Sequence, residues 1–129
     1  MTTAILDASA LLALLRDEPG GEKVQAILAN SGMSEVNLSE VVGHFARNGA
    51  VESDIRHVLD PLPVERYSFD GDLAYAAGLL LPVTRVAGLS FGDRACLALA
   101  QKLGVKVLTA DRAWHSIADA VGIEIEVIR

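Results

Sequence analysis

The 129-residue chain holds one cysteine, Cys96, which excludes an internal disulfide framework and a cysteine-built zinc site. A reducing, cytoplasmic home is the simplest expectation. Basic residues are scarce: eleven Lys and Arg against seventeen Asp and Glu give a formal net charge of −6. That balance excludes a protein that grips nucleic acid through an arginine-rich surface alone. Long apolar runs are missing as well. The stretch from Leu73 to Val83 is broken by Gly78 and Pro82 and falls short of the roughly 20 residues that cross a bilayer. The apolar start, Ala4 to Leu15, has no basic leader and carries Asp7, unlike a signal peptide. A soluble protein without membrane association is expected. No segment is Ser-rich, Gly-rich or repetitive, so residues 1–129 are expected to fold as one domain around one core.

What is present is an alternation of short apolar runs with longer helical patterns, in a chain that is 51% hydrophobic. This predicts an α/β fold with a mostly parallel sheet covered by helices on both faces. Strands are expected at Ala4–Leu6, Met33–Val36, Val64–Phe69, Lys106–Leu108 and Ile123–Ile128. Helices are expected at Ser9–Arg16, Glu22–Ala29, Leu38–Arg47, Asp54–Leu59, Ser90–Leu103 and Arg112–Val121, with another from Asp72 to Leu81 closed by Pro82. Roughly five strands result.

Four acids fall where the chain turns into a helix: Asp7, Glu40, Asp93 and Asp111. Asp7 and Asp111 follow strands, and ligands of open α/β sheets bind beyond the carboxyl ends of strands. Glu40 and Asp93 are placed in first helical turns. Taken singly, each acid has an ordinary explanation. Asn37-Leu38-Ser39-Glu40 and Ser90-Phe91-Gly92-Asp93 both have capping-box spacing, and Asp7 and Asp111 fit plain N-caps worth about 1 kcal/mol. Jointly they are harder to explain, because no basic residue is spaced among them. Two unit charges 4 Å apart repel by about 4 kcal/mol at the effective dielectric near a protein surface. A divalent cation relieves that repulsion, and hard oxygen donors without thiolate favour Mg²⁺ or Mn²⁺. Such ions polarise a phosphodiester and activate water, and they make an acidic pocket locally attractive to phosphate. Arg47, Arg56, Arg85, Arg94, Lys102 and Arg112 are candidates to guide a nucleic-acid strand, or plain solvated surface.

At these residues the chain resembles the PIN-domain ribonucleases, and among them the VapC-type toxins of bacterial toxin–antitoxin pairs. The resemblance rests on Ile5-Leu6-Asp7-Ala8-Ser9-Ala10-Leu11-Leu12, on Glu18-Pro19-Gly20, and on Asn37-Leu38-Ser39-Glu40-Val41. It continues through Leu89-Ser90-Phe91-Gly92-Asp93-Arg94-Ala95-Cys96 and Val107-Leu108-Thr109-Ala110-Asp111-Arg112-Ala113-Trp114. It spans nearly the whole chain, although Ala50 to Gly71 carries no family signature. It implies a PIN-like three-layer α/β/α fold and a Mg²⁺- or Mn²⁺-dependent endoribonuclease. It also implies a homodimer silenced by an antitoxin whose basic arm enters the acidic pocket. Carried over residue by residue, Asp7, Asp93 and Asp111 are expected metal ligands. Glu40 is expected to ligate directly or through water, or to position the attacking water, with Ser9 and Thr109 supporting the carboxylates.

Other residues invite simpler readings. His44 stands four after Glu40, a spacing used by some metal sites, but a histidine at the edge of the core suffices. Cys96 fits a buried inert thiol, and Trp114 fits packing or, as a lesser option, a base-stacking platform. Gly20-Gly21 reads as a turn, since no Lys-Ser/Thr follows. Three other functions stay open. One is a PIN nuclease of RNA processing without an antitoxin, and another is a catalytically silent PIN-like binding module using the helices Ser9–Arg16 and Glu22–Ala29. The third is a phosphoaspartyl enzyme on Asp7, disfavoured because Asp7-Ala8-Ser9 lacks a second acid.

Overall fold

The computed structural model describes every residue from Met1 to Arg129. Five strands, β1 (Ala4–Leu6), β2 (Ser31–Ser34), β3 (Glu65–Tyr67), β4 (Lys106–Thr109) and β5 (Ile125–Val127), form one sheet in the order β3-β2-β1-β4-β5. All pairings are parallel, with Ala4 opposite Ser31 on one side and Lys106 on the other. A parallel sheet is covered on both faces, so its strands read as unbroken apolar runs. Ala4, Ile5 and Leu6 are all fully buried. Successive side chains still point to opposite faces. Ile5 packs with Leu97, Val107 and Trp114, whereas Ala4 and Leu6 pack with Leu11, Val24, Met33 and Val41.

Two helical layers complete an α/β/α sandwich. On one face lie α1 (Ala8–Leu15), α2 (Gly21–Ile27), α3 (Glu35–Arg47) and α4 (Glu52–Leu59). The chain continues through α5 (Gly71–Leu79), α6 (Leu81–Thr84), α7 (Phe91–Leu103) and α8 (Ala118–Val121), of which α5, α7 and α8 supply the opposite core. In α7 every residue from Ala95 to Ala100 is buried, as expected of a helix enclosed on all sides. Gly104 ends it with φ +67°, its N–H bonded to the carbonyls of Ala100 and Gln101, a conformation that favours glycine.

Three expected elements are corrected. The strand placed at Met33–Val36 is β2 at Ser31–Ser34, and Glu35 and Val36 already belong to α3. The Ser34 hydroxyl accepts the Val36 N–H at 3.1 Å and so starts the helix early. Gly32 has no β-carbon, which leaves room for the Tyr67 ring beside it in the sheet. Pro82 does not close α5, which ends at Leu79. It stands in the first turn of α6, where no N–H is required. The single helix expected over Arg112–Val121 is a 3₁₀ segment, Arg112–Ile117, followed by α8. With three residues per turn, Trp114 and Ile117 eclipse one another and both reach the core.

Candidate functional site

From β1 the sheet grows toward β2 and β3 on one side and toward β4 and β5 on the other. The seam between β1 and β4 is thus where the strand order reverses, the usual ligand crevice of such folds. Asp7 directly follows β1, and Asp111 lies two residues beyond β4. Asp93 is in the first turn of α7, in the capping box with Ser90. Glu40 is in the second turn of α3 rather than the first, because that helix begins at Glu35.

Asp7 is the most enclosed of the four, at 3% exposure. Its Oδ1 accepts the Ala10 amide at 2.8 Å and the Ser9 hydroxyl at 2.7 Å, and its Oδ2 accepts the Thr109 hydroxyl at 2.6 Å. Burial raises its pKa to about 6, and the Asp93 charge pushes the same way against the three hydrogen bonds. Ser9 and Thr109, both expected beside the carboxylates, do more than cap. The Ser9 hydroxyl accepts the Ala110 amide at 2.9 Å, and the Thr109 hydroxyl accepts the Asp111 amide at 3.1 Å. The exit of β1 is thereby stitched to the exit of β4.

Asp93 accepts the Ser90 amide on Oδ2 at 2.9 Å. Its pKa is raised by partial burial, with the Asp111 charge adding to it and Arg94 opposing it. Arg94, the next residue in the chain, thus offsets part of the charge at Asp93, although no basic residue is expected among the acids. Asp111 accepts the Ala113 amide on Oδ1 at 2.9 Å. Glu40 is held differently. Asn37 is not its helix cap but lies within α3, fully enclosed, with Nδ2 donating to Glu40 Oε1 at 2.8 Å and to the Gly92 carbonyl at 3.0 Å. A β-carbon at Gly92 would fall 2.6 Å from the Glu40 carboxylate carbon, so any side chain there would push that carboxylate aside. Asn37 and Gly92 were visible in the sequence only as a cap and a spacer. The signal available was the triplet spacing of Asn37 and Glu40.

The four carboxylates share a pattern. Each has one oxygen anchored by an amide or side-chain donor of its own scaffold. On Asp93, Asp111 and Glu40 the other oxygen takes no protein donor, and on Asp7 Oδ2 takes only Thr109. A carboxylate has about four lone-pair sites, so every acid keeps acceptor capacity for an outside ligand. They also feel one another: Asp7 responds to Asp93, Asp93 to Asp111, and the buried Cys96 thiol is pushed well up by burial first and by Asp7, Asp93 and Glu40 after it. This donor set fits a hard divalent cation. The side chains are not drawn into a finished cage, since no group of three or more His, Cys, Asp or Glu is close enough to hold an ion as it stands.

The remaining candidates resolve simply. Cys96 is fully buried and inert. Trp114 is fully buried in the core, which removes it as a base-stacking platform. His44 is met by Arg16 and Arg47 rather than by an acid. Arg56 and Lys102, two of the candidate strand guides, are engaged with Glu52 and Asp60 and with Asp70.

A family model for the PIN domain matches residues 4–120. No curated protein matches the sequence. Among solved structures, a DNA-bound VapBC complex from Salmonella typhimurium is similar at TM-score 0.73 and 19% identity, over 98% of each chain. VapBC2 from Rickettsia felis, bound to a DNA fragment from its promoter, is similar at TM-score 0.69 and 14% identity, over 97% of this chain and 98% of that one. PAE2754 from Pyrobaculum aerophilum is similar at TM-score 0.60 and 23% identity, over 98% and 84%. At such identities the likeness is one of fold.

Proposed function

The chain belongs to the PIN-domain family, and from that premise we propose that it is a divalent-metal-dependent endoribonuclease, the toxin of a type II toxin–antitoxin pair, acting as one nuclease domain over residues 1–129. The observation that carries this is the arrangement of Asp7, Glu40, Asp93 and Asp111 on four separate elements: Glu40, Asp93 and Asp111 each keep one oxygen without a protein donor, and Asp7 keeps acceptor capacity beside its three donors. Asp7, Asp93 and Asp111 are the residues that would hold Mg²⁺ or Mn²⁺, with Glu40 as a further ligand, direct or through water. When bound, the ion offsets their repulsion, polarises the phosphodiester and lowers the pKa of water.

The chain's own groups do the rest. Ser9 and Thr109 hold the Asp7 carboxylate in one orientation, one donor on each oxygen. Asn37 holds Glu40 through Oε1, and in this reading the free Oε2 accepts a hydrogen bond from the attacking water and orients it toward phosphorus. Hydrolysis then forms one P–O bond to that water and breaks the bond to the leaving oxygen, which takes up a proton.

An antitoxin partner is supported by the assemblies in which the similar folds occur, the VapBC complexes from Salmonella typhimurium and Rickettsia felis. A homodimer is supported by apolar side chains left open around α5 and α6, with Tyr75 79%, Leu79 78% and Val86 96% exposed, since such surface on a soluble domain commonly marks an interface. The decisive experiment incubates purified protein with labelled tRNA and rRNA fragments, with Mn²⁺ or with EDTA. Cleavage with Mn²⁺ alone, lost in Asp7→Asn, is expected, as is growth arrest on induction that the same substitution abolishes. Intact RNA under every condition overturns the proposal.

A further inference from the structure

Four of the basic residues form a connected ribbon beside the acids. Arg112, the neighbour of Asp111, donates from Nε to the Arg129 carbonyl at 3.1 Å. Arg129 and Arg16 share the Glu18 carboxylate, at 3.5 and 3.7 Å. Arg16 Nη1 reaches His44 Nε2 at 3.5 Å, and Arg47 Nη2 reaches His44 Nδ1 at 3.5 Å from the other side. His44 is one turn beyond Glu40 on the same face of α3, about 6 Å away between β-carbons by helix geometry. The ribbon therefore begins beside one acid of the crevice and ends beside another.

Its charge is unbalanced. The four guanidiniums have one side-chain carboxylate partner among them, that of Glu18, in a chain whose net charge is −6. Arg56, Arg66, Lys102 and Lys106 each have a carboxylate within 4 Å, whereas here four guanidiniums are linked around a single acidic side chain. A neutral imidazole has one accepting nitrogen, and it cannot satisfy both Arg16 and Arg47. Helix-dipole compensation explains a basic residue at the last turn of α3 or at the end of α1 taken alone. It does not explain why side chains from the two helices turn toward each other.

We propose that Arg112, Arg129, Arg16, His44 and Arg47 form a track for successive phosphates of a single-stranded RNA, leading its backbone past the carboxylate crevice. The track deepens the nuclease proposal and rests on it. An anionic polymer with evenly spaced charges fits a ribbon that runs from one border of the crevice to the other, whereas a compact anion would occupy only one end.

The test is steady-state cleavage of a mixed-sequence RNA oligonucleotide and of a dinucleotide, with Mn²⁺, at several salt concentrations. Arg16→Gln combined with Arg47→Gln is expected to raise KM for the oligonucleotide about tenfold with kcat unchanged, a loss of about 1.4 kcal/mol in binding. The log–log salt slope should become shallower by about 0.7 for each phosphate that the variant no longer neutralises. The dinucleotide, too short to reach the ribbon, should be cut as by the wild type, and Arg16→Lys with Arg47→Lys should restore the slope. Oligonucleotide KM and slope equal to wild type overturn the track and leave the nuclease proposal standing. Wild-type protein that cleaves neither substrate overturns both. Unchanged RNA kinetics with impaired binding of the antitoxin assigns the ribbon to a protein partner and also overturns the track.

Discussion

Thr109 and Asp7, 102 residues apart in the chain, meet at the ends of neighbouring strands, where the Thr109 hydroxyl donates to Asp7 Oδ2 at 2.6 Å. The same hydroxyl accepts the Asp111 amide at 3.1 Å. One side chain thus joins two of the four acids. It also lowers the Asp7 pKa, in opposition to the larger effect of burial.

Thr109→Val keeps the shape and deletes both bonds. A buried carboxylate oxygen without a donor costs on the order of 1–3 kcal/mol, so urea unfolding at pH 7 should show a loss of that size. The loss should shrink toward pH 4, where Asp7 is protonated in both proteins. Equal stability across this range would show that Asp7 does not depend on Thr109.

Asp7→Asn tests the cost of the buried charge. The folded pKa, about 6, lies above the ordinary 3.8, so the folded state holds the proton more tightly than the unfolded chain. Its contribution to stability is fully present below pH 4 and is lost as pH rises through 6. A shift of about two units corresponds to about 3 kcal/mol, an upper bound on the gain expected at pH 7 for Asp7→Asn without metal. The slope of stability against pH between 4 and 6 should flatten, and cleavage should vanish.

Asp93→Asn separates capping from metal binding. The amide oxygen of asparagine can still accept the Ser90 N–H, so the capping box persists while the charge facing Asp111 is removed. Metal-free stability should hold or rise, with cleavage abolished. A loss of about 1 kcal/mol or more would make capping the main role of the carboxylate.

Gly92→Ala and Asn37→Ala should act on one target. The first drives a methyl group into the Glu40 carboxylate, and the second removes the donor that holds it. Both should reduce cleavage, and the double variant should be scarcely worse than either, because residues acting through one partner are not additive. Additive losses would separate the two roles.

Mn²⁺ should raise the melting temperature, by the equivalent of about 2.7 kcal/mol at a hundredfold excess over Kd. Ligands must be ionised to bind, so the shift should be larger at pH 7.5 than at pH 5, below the Asp7 pKa. Asp7→Asn should abolish it. A shift independent of pH and retained by the variant would place the ion elsewhere.

Three of the four candidate acids were legible in position because each announces itself locally. An acid after an apolar run, or three residues after a serine, predicts a helix entrance, and the structure shows Asp7, Asp93 and Asp111 at such entrances. Glu40 is legible by type and not by position, since α3 starts at the Ser34 cap, inside the segment that the apolar run assigns to a strand. Trp114 packs as its sequence context favours, and the 3₁₀ turn is what aims it inward.

Local pattern and composition alone decided that this chain would be an α/β sandwich with acids at its helix entrances, because periodicity and capping act over a few residues. Which strands became neighbours, and therefore that Thr109 would grip Asp7, that Gly92 would make room for Glu40, and that Arg16 would face Arg47 across His44, was decided only by the packed sheet and its two helical layers. Those contacts join residues far apart along the chain, and their geometry exists only once both cores are closed.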